Sequence, residues 1–213
     1  DSGLLYIASE YVGGESLSVQ LQRHSGLPLP NKALRIGRQL SACLAVAHGL
    51  GIRHQALRPD KILLTAAPGT ADGEQVKLLD LGLLDALGRG PRLAELSPAQ
   101  VAYLSPEQRR GEAVQGGQAD VFALGVILYE MGSGGLPAVS LADVAAEPAS
   151  FLSSGATQTG LLQLLPSWLQ PFAAILDRML AANPAERPTM GQVASTLQQL
   201  SALAPGSSGV SVP

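Results

Sequence analysis

The stretch "HQALRPDKILL", residues 54–64, sets an imidazole, a guanidinium and an ammonium close together as His54, Arg58 and Lys61. Groups of this kind serve proton transfer and phosphate chemistry. Ala56 stands among them and has nothing with which to accept a proton. Asp80, in "VKLLDLGLL", is a carboxylate able to act as a hard oxygen ligand. Further charged residues stand in three other segments: Glu107 in "AYLSPEQ", Asp120 in "ADVFALGVILYEM" and Arg187 in "NPAERPTM". A phosphate cradle of the form G-x-G-x-x-G is not found. The triplets Gly49-Leu50-Gly51 and Gly132-Ser133-Gly134 both lack the third glycine. The single cysteine, Cys43, has no His or Asp set beside it in a recognisable motif and reads as a small core hydrophobe in a reducing compartment.

These residues need a scaffold, and the composition supplies one. A chain of 213 residues with 46% hydrophobic and 15% charged residues, against roughly 25% charged in typical soluble domains, favours burial over disorder. One domain is expected over residues 1–203, with "APGSSGVSVP", 204–213, as a flexible tail. Strand-like patterning covers "LLYIASEYV", 4–12, stopped by Gly13 and Gly14, and a short helix fits "ESLSVQLQRHSG", stopped by Gly26. After Pro30, the residues Ile36, Leu40, Cys43, Leu44 and Ala47 predict one apolar helix face, with Gly51 as a left-handed C-terminal residue. "KILLT" and "QVKLLD" predict a hairpin across a turn-rich connection. Helices are predicted over 119–131, 168–181 and 189–203, the last opened by a Thr189/Gln192 capping box. Residues 132–160 are expected to be loop, with one short helix near 140–145.

Five ordered segments, "HQALRPDKILL", "VKLLDLGLL", "AYLSPEQ", "ADVFALGVILYEM" and "NPAERPTM", resemble the C-terminal lobe of bacterial-type serine/threonine protein kinases, from about Leu4 to Leu203. The resemblance implies an α+β, mostly helical lobe with short β-hairpins near the hinge and the catalytic loop. It also implies that the chain starts at the family's hinge, so that the phosphate-gripping lobe with its Gly-rich loop and strand lysine lies outside it. By that likeness His54 is a packing histidine, Ala56 holds the place of the proton-accepting Asp, Arg58 that of the loop lysine, and Lys61 that of a magnesium-binding Asn. Asp80 matches the other metal ligand. With Lys61 beside it, two roles stay open for Asp80: an ion pair that mimics the missing metal charge, or a cap on the turn between strand and loop. Gln55 replaces an arginine that receives an activating phosphate, and Ser97 and Tyr103 are the only phosphate acceptors of the loop 83–104. Ala99, Gln100 and Val101 stand where the family's Gly-Thr-Pro seats a substrate hydroxyl. Glu107 and Arg187 match a buried salt bridge, and Asp120 matches the carboxylate that fixes the catalytic-loop backbone.

The resemblance points to a catalytically inactive, pseudokinase-like module that binds or regulates, with a weak or atypical ATP-dependent serine/threonine kinase as the alternative and an inert fused domain as a third reading. No cofactor is expected to be required. If ATP binds, the backbone of Glu10 and Val12 would hold the base, Leu63 would form an apolar floor, Asp80 would be the remaining polar and metal-ligating group, and magnesium would not be needed. A protein partner is expected. Nucleic acid is not, because a net charge of -3 and scattered basic residues give no attraction for a phosphate backbone. The longest apolar run, "VFALGVILY" at 121–129, is far short of the roughly 20 residues that span a bilayer. The start "DSGLLYIASE" has no basic region leading into an apolar one, so a cytoplasmic location is expected, with any membrane tether of a parent protein lying beyond the C-terminal linker.

Overall fold

In the computed structural model, which describes residues 10–24, 27, 29–70, 73–88, 90–114, 116–136 and 170–203, the core forms where three helices close on a glycine. Two short elements lead in: β1 (Glu15–Ser16) and α1 (Leu17–Arg23), whose N-cap Ser16 accepts from the Val19 N–H. Helix α2 (Pro30–Gly49) starts on a proline, which lacks the N–H that a first turn cannot satisfy, and Gly51 follows it at φ 75°. Then come β2 (Ile62–Ala66), β3 (Glu74–Leu78), the short helices α3 (Leu83–Ala86), α4 (Pro98–Val101) and α5 (Pro106–Arg109), and the long α6 (Gln118–Ser133). The described chain resumes with α7 (Gln170–Met179) and α8 (Met190–Leu203), the latter opened by reciprocal Thr189 and Gln192 bonds as its sequence predicts.

Helix α6 is buried on every side from Ala119 to Leu128, which is why its sequence shows little periodicity. Helix α7 lays Phe172, Ile175, Leu176 and Met179 against it, and α8 lays Val193, Leu197 and Leu200 against α2. Each fully buried Leu or Phe contributes about 1.5–3 kcal/mol by leaving water. Gly37 sets the spacing, because a Cβ there would lie 2.9 Å from Leu128 Cδ2 and 3.1 Å from Leu197 Cδ1. We expect Gly37→Val to lower unfolding free energy by about 1–3 kcal/mol through overpacking. An unchanged urea midpoint would show that the crossing has room to spare.

The hairpin β2–β3 is antiparallel, with Ile62 opposite Leu78 and Leu64 opposite Val76, and β1 joins its other edge, Ser16 opposite Leu63. The sheet is therefore three-stranded in the order β1-β2-β3. Of the strand expected over 4–12, residues 4–9 lie outside the described residues and 10–12 are not in strand; the described ladder forms after the glycines, where the chain meets the open edge of β2 at Leu63 and Leu64. The expected helix stop at Gly26, the short helix at 140–145, most of the 132–160 loop and the 204–213 tail also lie outside the described residues.

Cys43 departs from expectation. It is exposed, because the buried stripe of α2 runs through Ala33, Gly37, Leu40, Ser41 and Leu44. At about 100° per residue, position 43 falls roughly 90° from the centre of that stripe. Gly37 and Ser41 carry no apolar signal, so the face inferred from large residues alone is rotated toward Cys43.

Candidate functional site

Hairpin register brings the first two site residues together. A short 3₁₀ turn, Pro59–Lys61, runs directly into β2, and the Leu79 N–H donates to the Lys61 carbonyl at 2.8 Å just past the end of β3. Lys61 and Asp80 thus flank the same end of the hairpin, and Lys61 Nζ donates to Asp80 Oδ2 at 2.6 Å. Asp80 adopts φ 58°, and the turn that follows is closed by its backbone carbonyl accepting from the Leu83 N–H at 3.1 Å. Of the two roles open to this carboxylate, the geometry gives the ion pair.

A cavity of about 270 Å³ opens at this point. His54, Ala56, Arg58, Lys61 and Asp80 line one side, and residues between Leu83 and Gln100 line the other. His54 is 1% exposed, and neither ring nitrogen has a hydrogen-bond partner among the described residues. Burial pushes its pKa below the ordinary imidazole value, against the pull of Asp120. Ala56 brings only a methyl group to the cavity. Arg58 forks onto Asp60, with Nε and Nη2 at 3.0 and 3.1 Å from its two oxygens. The Glu10, Val12 and Leu63 group is not part of this cavity. Glu10 is exposed, Val12 half-buried, and Leu63 sits on the opposite face of β2 from the buried Ile62 and Leu64.

The loop backbone around these residues is held from below. Asp120, near the start of α6, accepts from the His54 N–H at 2.8 Å, the Gln55 N–H at 2.7 Å and His48 Nε2 at 2.9 Å. Gln55 is bent to φ 63°, a region few non-glycine residues adopt, and Gln108 Nε2 donates to its carbonyl at 2.6 Å. Every main-chain polar group of Gln55 is thereby satisfied by a side chain from another element. Glu107 and Arg187, 80 positions apart, meet through two bonds of 2.7 and 2.9 Å. Both are almost completely buried, and the guanidinium also stacks over Phe122 at 5.0 Å.

The structure adds residues that sequence reading missed. Arg53 donates through its N–H, Nε and Nη2 to Asp85 at 2.8, 3.2 and 2.7 Å, and the Gln55 side-chain amide donates to the same carboxylate. His48 reaches Asp120 from α2. Tyr103 donates its O–H to Glu130 at 2.6 Å. No short-range pattern marks these pairs, since the partners lie 27 to 72 positions apart. Ser97, the other hydroxyl expected in the loop, is exposed and caps α4 through the Gln100 N–H. Among the described residues no cluster of three or more His, Cys, Asp or Glu side chains could hold a metal ion, and no helix is long and apolar enough to cross a membrane.

Comparisons with known proteins agree with this architecture. The family model described as "Protein kinase domain" matches residues 1–197. The chain is 33% identical over 204 residues to the serine/threonine-protein kinase pkn3 of Myxococcus xanthus, covering 90% of this chain and 35% of that protein. It is 32% identical over 136 residues to the serine/threonine-protein kinase PknB of Mycobacterium leprae, covering 63% of this chain and 21% of that one. It thus spans about a third or less of the length of these relatives. Among solved structures, the Mycobacterium tuberculosis PknI kinase domain superposes with a TM-score of 0.56 at 21% identity, over 90% of this chain and 64% of that one. A point-mutant form of the same domain gives 0.61 at 22% identity, with 90% and 63% covered.

Proposed function

Because this chain belongs to the protein kinase domain family, we propose that it is a pseudokinase-like member which binds or regulates without transferring phosphate. One observation carries this reading: the catalytic loop presents a methyl group, Ala56, at the proton-accepting position, while the Lys61 ammonium occupies the carboxylate of Asp80. A positioned base is worth about 10²- to 10⁴-fold in rate, and Ala56 supplies none. Magnesium requires hard oxygen donors, and an ammonium at 2.6 Å from Asp80 offers a competing cation instead of a ligand. The residues present do not fit the family's metal arrangement. Lys61 supplies part of the positive charge that a metal would bring. Any nucleotide would therefore bind without a strong magnesium requirement, its base held by the backbone of Glu10 and Val12 over Leu63. The expected partner is a protein.

The test uses the full-length parent protein. We expect no transfer of labelled phosphate to serine or threonine peptides above that of an Asp80→Ala variant, and ATP titrations with and without magnesium that agree within about threefold. Metal-dependent incorporation that disappears in Asp80→Ala, or an affinity raised about tenfold by magnesium, would overturn the reading; tenfold corresponds to about 1.4 kcal/mol of metal-mediated binding.

A further inference from the structure

The segment 83–104 forms one wall of the His54 cavity, through Leu83, Leu84, Leu96 and Gln100 among others. Within the segment, the Asp85 carboxylate is bonded to Arg53 and Gln55. We infer that Asp85 is a built-in latch: gripped by Arg53 and Gln55, it docks the segment across the cleft without any phosphate and keeps His54 sealed.

Three observations carry the inference. First, α3 has only four residues, too few to be stable alone, so its position must come from contacts outside it. Asp85 makes those contacts, accepting three hydrogen bonds from Arg53 and one from Gln55. Burial alone pushes the Asp85 carboxyl up, and the Arg53 bonds more than offset this, holding it below the ordinary carboxylate value. Second, the cation at this place is already used. The Arg53 guanidinium also donates to the Val114 carbonyl at 3.2 Å, so one side chain ties together residues 53, 85 and 114, while Gln55 is neutral. A phosphate-gated segment needs charge held open for an incoming dianion. Third, the far end is fastened separately. Tyr103 is buried on Glu130, Arg109 Nη2 donates to the Ala102 carbonyl at 3.0 Å, and Ser97 is committed to capping α4. Both hydroxyls of the segment thus have structural work. The latch does not depend on whether the protein transfers phosphate.

Hydrogen exchange of the full-length protein, resolved by peptide, tests the latch, together with diethyl pyrocarbonate labelling of histidines. In Asp85→Ala, amides across 83–96 should exchange about tenfold faster, as expected for loss of local protection, while α6 is unchanged. Carbethoxylation of His54 should rise severalfold, with His24 as an unaffected reference. Asp85→Asn, which keeps one acceptor oxygen for Arg53, should give an intermediate response. Phosphatase treatment of the parent should alter neither readout. Unchanged exchange across 83–96 in Asp85→Ala would overturn the inference, as would loosening of the segment by phosphatase. Faster exchange throughout α6 in both variants would also overturn it, because Asp85 would then hold the whole domain and not the segment.

Discussion

Arg187→Ala is expected to unfold at a much lower denaturant concentration than the parent, with a loss of about 3–5 kcal/mol. That is a large share of the roughly 5–15 kcal/mol that holds a domain together. The cost arises because Glu107, 4% exposed, would keep its charge without a guanidinium 2.7 Å away, or would have to take up a proton. Arg187 also donates to the carbonyls of Ala181, Gln118 and Ala182, so its removal leaves three half-buried acceptors short of a donor. Lys61→Ala provides the contrast. Its ion pair with Asp80 is equally short, but the two side chains are 27% and 41% exposed and screened by water. We expect less than about 1 kcal/mol there. Equal midpoints for the two variants in matched urea titrations would refute the difference in burial on which this ranking depends.

The same pair has a pH signature. Burial alone would push Glu107 up, but the Arg187 bonds prevail and hold it below the ordinary carboxylate value of 4.5. A carboxyl whose folded pKa is depressed stabilises the fold fully above its unfolded pKa and loses that contribution as pH falls through the folded value. Parent and Arg187→Ala should therefore differ most near neutral pH and converge only as pH falls below the ordinary carboxylate value, through the depressed folded value of Glu107.

Asp120→Ala should have the second-largest effect, about 2–5 kcal/mol. Removing this carboxylate orphans the N–H groups of His54 and Gln55, each at a cost of about 1–3 kcal/mol when buried. It also deprives His48 of its acceptor and releases Gln55 from φ 63°, a conformation that the surrounding bonds enforce. Asp120→Asn keeps one acceptor oxygen and should lose roughly half as much, since one of the two orphaned donors is then satisfied. Urea denaturation of the three proteins should rank parent, Asn and Ala in that order. A wild-type midpoint for the alanine variant would mean that the loop backbone finds other acceptors.

Elements with a strong local signal were legible in the chain. The apolar run of α6, the periodic face of α8 with its Thr189 box, and the paired strands β2 and β3 all follow from residue order, because neighbours within one or two turns decide them. The ordered motifs likewise singled out Glu107, Asp120 and Arg187 through a family resemblance; in the structure Glu107 and Arg187 meet at 2.7 Å, and Asp120 accepts from the His54 and Gln55 N–H groups. Cys43 failed because Gly37 and Ser41 carry no apolar signal, although they face the interior where helices approach closely.

What residue order alone determined, then, is the family architecture and the chemical character of two loop residues: Ala56 carries no base in any conformation, and Lys61 is a cation wherever it lies. The choice between partners belonged to the tertiary structure. Asp80 could have capped a turn or paired with Lys61, and the hairpin register placed the ammonium 2.6 Å from it. Asp85 carries no motif, and only the folding of α3 onto the loop at Arg53 and Gln55 makes it an anchor. The same folding left Glu10, Val12 and Leu63 outside the cavity that gathers the catalytic-loop residues. The physical reason is common to these cases. A charge states what a residue can bind, but the strength of a charge pair depends on distance and on exclusion of water, and both are set by segments dozens of positions away.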